Sequence, residues 1–153
     1  MLIRPGCYEF LEEMHRYFEV VIFTAAQQDY ADWAIDQIDP KHYISYRLYR
    51  QHAMQYGNIF IKDLNKIGRK LAKTIIVDNV AANFQLQPEN GILIKTWIED
   101  IDDNALSQLS PLLTEIVKKE VDDVRVALRQ FREQMVRQIA LGVPLEQLKL
   151  SLD

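Results

Sequence analysis

Four residues of this chain have the types and settings needed to handle a phosphate group. Thr24 closes the apolar run Val20-Val21-Ile22-Phe23, Lys62 lies in Ile61-Lys62-Asp63-Leu64, and Asp78-Asn79 close a second apolar run, Thr74 to Val77. Ligands of open α/β sheets collect at the carboxyl ends of strands, because loops and helix amino termini converge there. A hydroxyl at such an end, with the backbone N–H groups that follow it from Ala25, can hold a phosphate oxygen. A lysine can neutralise that phosphate, and an asparagine beside a carboxylate, as in Asp78-Asn79, can ligate Mg2+, which prefers oxygen. Singly each feature is common: a threonine after a strand is usually a helix cap, a lone lysine is usually solvated, and Asp-Asn is often just a turn. Together, in this order and at strand ends, they are specific.

The elements that must position these residues are legible as changes of period. Pro5-Gly6 introduces a helix with Phe10, Leu11, Met14 and Phe18 near one face. Val20 to Phe23 then reads as a parallel strand covered on both faces. Gln28 to Ile38 returns to helical spacing through Tyr30, Ala31, Ala34, Ile35 and Ile38, and Asp39-Pro40 stops it. Tyr43 to Tyr49 alternates as a strand, Asp63 can cap a short helix carrying Leu64, Ile67 and Leu71, and Gly91 to Ile94 forms a further apolar strand. From Asp102 the pattern is helical, with Pro111 expected to kink the first helix or mark its true first turn. Gly142 and Pro144 end the last helix. Residues 1–141 therefore read as one α/β domain with a mainly parallel sheet. Residues 142–153 read as an apolar docking tail through Leu145, Leu148, Leu150 and Leu152.

Composition narrows the function classes. The 153 residues fit one domain, with 48% hydrophobic and 26% charged residues, as in globular proteins. A formal net charge of −4 gives no sequence-wide basic field for nucleic acid, and no apolar run approaches the roughly 20 residues of a membrane span. One cysteine, Cys7, excludes an internal disulfide and is expected to be a free buried thiol in a reducing compartment. The spacing of His15, His42 and His52 matches no metal site, and surface or turn roles are expected. Trp33 and Trp97 are expected in the core or at its rim. Arg47 and Arg50 could meet an acidic partner.

Phe23-Thr24-Ala25, Tyr30-Ala31-Asp32, Arg47-Leu48-Tyr49-Arg50, Ile61-Lys62-Asp63-Leu64, Gly68-Arg69, Ile76-Val77-Asp78-Asn79, Pro88-Glu89-Asn90 and Trp97 occur in a consistent order. With them the chain resembles the small carboxy-terminal-domain phosphatases, including Dullard-type and NLI-interacting-factor-type proteins, within the haloacid dehalogenase superfamily. It is also similar to the presequence receptor of the mitochondrial inner-membrane translocase, most closely at Ile44 to Leu48, Leu86-Gln87-Pro88 and Asp123-Val124-Arg125. The resemblance implies a haloacid-dehalogenase-like, Rossmann-like three-layer sandwich with carboxy-terminal helices. It makes Thr24 the phosphate-contacting threonine, Lys62 the phosphate-neutralising lysine, Asn79 a Mg2+ ligand and Asp78 the acid beside it. Active members usually follow Asp-Asn with Ser-Pro, where this chain has Val80-Ala81.

The family's Asp-x-Asp-x-Thr segment, which carries its nucleophile and general acid, would lie before Arg4. Asp100-Ile101-Asp102 has the spacing but no preceding buried strand, so it reads as a surface loop. Without an acidic nucleophile the remaining residues can bind phosphate but cannot form a phospho-aspartyl intermediate. By the resemblance, the acidic strand is also central to the sheet, between the strands that end at Thr24 and Asp78. Its absence would orphan backbone groups at about 1 to 3 kcal/mol each if they were buried. Three resolutions follow: a strand from another chain, a strand from upstream residues, or direct pairing of the two flanking strands, with supply from outside favoured. The chain is thus expected to be a phosphatase-like domain that is non-catalytic alone and serves protein contacts in a larger assembly. Its alternatives are the carboxy-terminal part of an active Mg2+-dependent phosphoserine or phosphothreonine phosphatase, and an import receptor. Mg2+ is expected only if an acidic segment is supplied. The location is expected to be intracellular, with mitochondrion, cytoplasm and nucleus not distinguished.

Overall fold

The order of elements follows the changes of period. In the structure, a computed structural model that describes residues 1–152, helix α1 spans Cys7–Tyr17 and strand β1 Val21–Phe23. Helix α2 spans Gln28–Ile38, β2 Tyr46–Leu48, β3 Met54–Tyr56 and β4 Ile59–Ile61. Next come β5 (Ile76–Asp78), β6 (Gly91–Leu93), α3 (Ala105–Lys118) and α4 (Val124–Ala140). Short 3-10 turns fill the connections, including Leu64–Lys66, where the Asp63 carboxylate accepts the Asn65 N–H as expected of a cap.

The strands form three pairs. β1 and β2 are parallel with Ile22 opposite Arg47, β5 and β6 are parallel with Val77 opposite Ile92, and β3 and β4 make an antiparallel hairpin. That hairpin is absent from the reading of the sequence above. Gly57 takes φ 61° at the first position of a two-residue loop, where glycine meets no Cβ penalty. Its function here is to deliver Lys62, the residue that follows β4.

Among the described residues β1 pairs only with β2, and β5 only with β6. The expected possibility that the two strands close up on one another is therefore not realised. Nevertheless both pairs rest on one helical layer. Val20 and Ile75, at the amino ends of β1 and β5, pack against the same cluster of Met14 from α1 with Leu109 and Leu113 from α3. Ile75 and Ile92 also reach the α3/α4 core of Ile116, Val124, Ala127, Leu128 and Phe131. On other faces, Ile22 packs with Ala31 and Ile35 of α2, while Ile76 packs with Leu64 and Phe84.

The open edges can be identified residue by residue. The Thr24 N–H donates to the Leu48 carbonyl and the Ser45 N–H to the Val20 carbonyl, while the Ile94 N–H donates to the Asp78 carbonyl. Successive residues of a strand direct their backbone groups to alternate sides, so Val21 and Phe23 of β1 and Val77 of β5 present theirs away from β2 and β6. Val21 is 37% exposed and Val77 36%. At these two positions the edges are open to water, which lessens the burial cost anticipated above.

Two further expectations change. Pro111 lies inside α3, beyond the first turn; it and Ser107, whose carbonyl its missing N–H would have met, are exposed, so solvent can satisfy the freed carbonyl. Trp33 is 48% exposed, on the side of α2 away from buried Ala31 and Ile35.

Candidate functional site

Lys62 and Asp78 meet although they come from different elements. The Lys62 N–H donates to the Asn83 carbonyl at 2.8 Å, which fixes the lysine beside the turn after β5. Its Nζ lies 2.6 Å from Asp78 Oδ2, and the two side chains are 10% and 4% exposed. Asp78 Oδ1 accepts the Val80 N–H at 2.9 Å, and Asn83 Nδ2 reaches both carboxylate oxygens, at 3.2 and 3.3 Å. Asp78 is thus neutralised and held from three directions. Asn83, which the sequence reading passed over, ties the lysine and the acid together through backbone and side chain. Its position five residues beyond the acid, in a helical turn, was the available signal.

A cleft of about 340 Å³ is lined by Arg4, Lys62, Val77, Asp78, Asn79, Ile94 and Trp97. Arg4 is a second residue missed from sequence, and its guanidinium is gripped by Asp103 through Nε at 2.7 Å and Nη2 at 3.1 Å. The Arg4 hydrogen bond holds the Asp103 carboxyl below the usual carboxylate range, against the opposing effect of burial. Asn79 donates its amide to Thr96 Oγ1 at 3.1 Å, leaving its carbonyl oxygen as the group able to face a cation.

Thr24 stands apart from this cleft. Its Oγ1 accepts the Ala26 N–H at 3.0 Å, and Gln27, not Thr24, is the N-cap of α2. The link between the two sides is Lys62, whose Nζ lies 6.0 Å from the centroid of the Phe23 ring at the end of β1. One ammonium group therefore sits where the carboxyl ends of β1 and β5 converge.

Magnesium requires near-octahedral oxygen ligation. Asp78 already accepts from an ammonium and two N–H donors, Asn79 offers one oxygen, and no group of three His, Cys, Asp or Glu able to hold a metal occurs among the described residues. These donors do not make a magnesium site on their own. Asp100 and Asp102 belong to an exposed turn in which the Asp100 carboxylate accepts the Asp102 N–H.

The remaining candidates are placed as follows. Arg47 pairs with Asp32 and Asp36 of α2 at 3.0 and 2.8 Å. Arg50 donates to the Ala25 carbonyl and stacks over Phe60, with its guanidinium carbon 4.8 Å from the ring centroid. Both arginines are thus engaged within the fold. Leu152 is buried in the α3/α4 core with Leu150 against it, whereas Leu145 is 71% exposed. His15 stacks on Tyr43, and His52 Nδ1 accepts the Tyr49 N–H. Cys7 is a partly buried free thiol whose pKa is raised, chiefly by burial.

Comparison with known proteins adds the family. Residues 1–125 match the model of the NLI interacting factor-like phosphatases. CTD small phosphatase-like protein 2 of Dictyostelium discoideum is 42% identical over 126 residues, covering 82% of this chain and 22% of that protein. Mitochondrial import inner membrane translocase subunit TIM50 of Kluyveromyces lactis is 37% identical over 129 residues, covering 84% of this chain and 27% of that protein. The chain thus spans less than a third of the length of either relative. Among solved structures, Fcp1, described as an essential RNA polymerase II CTD phosphatase, superposes with a TM-score of 0.55 at 20% identity, over 88% of this chain and 38% of that one. This likeness shows the haloacid-dehalogenase-like α/β fold. The chain belongs to the NLI interacting factor-like phosphatase family.

Proposed function

We propose that this chain is the strand-accepting body of a phosphatase-type domain, non-catalytic by itself and used for protein contacts within a larger assembly. The observation that carries this reading is the seam: β1 and β5 lie on one helical layer, each paired among the described residues on its outer side only, with Lys62 at their converging ends. Val21, Phe23 and Val77 offer backbone donors and acceptors along it. A parallel strand fits such edges by β-augmentation, and it would come from upstream residues or from another chain. Lys62 favours an acidic group at the carboxyl end of that strand, since Asp78 supplies only one of the charges an ammonium can contact. An added carboxylate there would also supply oxygen that the donor set needs for Mg2+.

The test is hydrolysis of an aryl phosphate by this chain with Mg2+. No turnover is expected. Mg2+-dependent turnover that disappears on Lys62→Ala would overturn the reading and favour the second one, in which the chain is the carboxy-terminal part of an active protein phosphatase. That second reading is supported by the retention of Thr24, Lys62, Asp78 and Asn79 together, and by the phosphatases among the relatives.

A further inference from the structure

The end of the described chain is bound as a ligand would be. Gln138 donates its Nε2 to the Lys149 carbonyl at 2.7 Å and accepts the Lys149 N–H on Oε1 at 3.0 Å. Gln134 does the same for Ser151, at 2.7 and 3.0 Å. Each glutamine amide therefore satisfies both backbone groups of one residue, as a neighbouring strand would. The spacing suits this. Glutamines four apart on a helix are separated by about 6 Å along its axis, and alternate residues of a strand by about 6.6 Å. The order of contacts runs the segment antiparallel to α4.

Side chains complete the recognition. Lys149 and Ser151 are exposed, Leu148 and Leu150 are half-buried, and Leu152 is buried, so inward and outward positions alternate with period two. Leu152 enters the cluster of Ile116, Val124, Ala127, Leu128 and Phe131, and its N–H donates to Glu115 Oε1 of α3 at 3.1 Å. A Schellman turn isolates this segment from the helix it contacts: Gly142, at φ 81°, donates to the Ile139 carbonyl at 2.9 Å and Val143 to that of Gln138 at 3.0 Å. Residues 144–147 are exposed.

We propose that the α3/α4 groove is a reading site for an extended peptide with leucine-like residues at alternate positions, and that residues 149–152 occupy it in cis as a releasable strap. Gln134 and Gln138 read the backbone without regard to side chain. The Leu152 pocket and Glu115 set register and direction. The partner is a protein segment of apolar-polar-apolar pattern that takes the place of the strap. This inference is independent of the seam.

The experiment uses the full chain. Leu152→Asp unseats the strap by placing a charge in an apolar pocket, and a labelled peptide of residues 145–152 is then titrated while its fluorescence anisotropy is followed. Saturable binding is expected to the Leu152→Asp chain, and at least about tenfold weaker binding to the unchanged chain, whose own strap competes at high effective concentration. Adding Gln134→Ala and Gln138→Ala, or changing Leu150 and Leu152 of the peptide to serine, should abolish binding. A folded Leu152→Asp chain that binds no peptide overturns the proposal, as does equal binding by all chains. Should Leu152→Asp fail to fold, hydrogen exchange on the unchanged chain decides. The amides of Lys149, Ser151 and Leu152 should be protected, and Gln134→Ala/Gln138→Ala should speed their exchange at least about tenfold while α4 stays protected. Absent protection, or protection unmoved by the glutamines, overturns it.

Discussion

Asp78 depends unequally on the groups that hold it. The Val80 N–H and the Asn83 amide supply neutral hydrogen bonds, but only Lys62 supplies charge. Replacing Lys62 by methionine leaves a carboxylate in a site where it is 6% exposed, and breaking a buried pair from one side is costly. A loss of about 3 to 5 kcal/mol in denaturant unfolding is expected, most of it recovered in Lys62→Met/Asp78→Leu. The Arg4–Asp103 pair gives a pH signature instead. Because the folded-state pKa of Asp103 is depressed, its contribution is present above the ordinary aspartate value of about 3.9 and fades as pH falls through the lower folded value. Unfolding of Asp103→Asn should thus differ most from the unchanged chain near neutrality, and the two curves should converge in acid. Gly91 is set by space: a Cβ there would collide with the Phe84 ring. Gly91→Ala should cost about 1 to 3 kcal/mol by overpacking, and Phe84→Leu should recover part of it in the same assay. At this scale the strand-end setting of Asp78 and Asn79 was legible because it is a local property of the run Thr74 to Val77, whereas Lys62 was singled out by its type and neighbours and its place after β4 was not read. Arg4 and the separation of Thr24 were not legible, since each depends on chain segments that meet only in three dimensions; Asn83 was missed although its contact with Asp78 is local.

Elements were legible where their signals lie within them. Helix α2 was read from Gln28 to Ile38 because an apolar stripe ends at Asp39-Pro40, and its bounds are those observed. Asp123 caps α4 by accepting the Arg125 N–H at 2.9 Å, so Asp123→Ala should lower stability by about 1 kcal/mol, seen as an earlier thermal unfolding midpoint. The β3–β4 hairpin was missed although Gly57-Asn58 separates two strand-forming runs; Met54, Gln55 and Tyr56 are all exposed, so the first run lacks the alternation that marks a half-buried strand. Of the two roles expected of Pro111, the helix start is not the one observed, since Pro111 lies inside α3. Proline's effect is set by whether the freed carbonyl is buried or wet, and sequence does not say which way a helix faces.

For the whole molecule, the alternation of strands and helices was enough to give the α/β class, and the pairing of strands was not. Whether β1 and β5 close up or stay apart is decided by where the helices of the common layer place them. In the structure Met14, Leu109 and Leu113 are touched from both sides, by Val20 and by Ile75. The two halves are joined across the seam by side chains rather than by a hydrogen-bonded ladder. The Glu19–Arg69 ion pair, at 2.8 Å and largely exposed, is one such tie, and exposed pairs of this kind contribute little.

A sheet cut lengthwise has mechanical consequences. Shear between the β1–β2 leaf and the β5–β6 leaf is resisted by greasy contacts, one lysine and the exposed Glu19–Arg69 pair, not by a backbone ladder between β1 and β5, so the seam is the molecule's plane of least resistance. Whatever ribbon lodges in that plane would bond both leaves into one plank, so occupancy would register in the stiffness of the entire body as much as at Lys62.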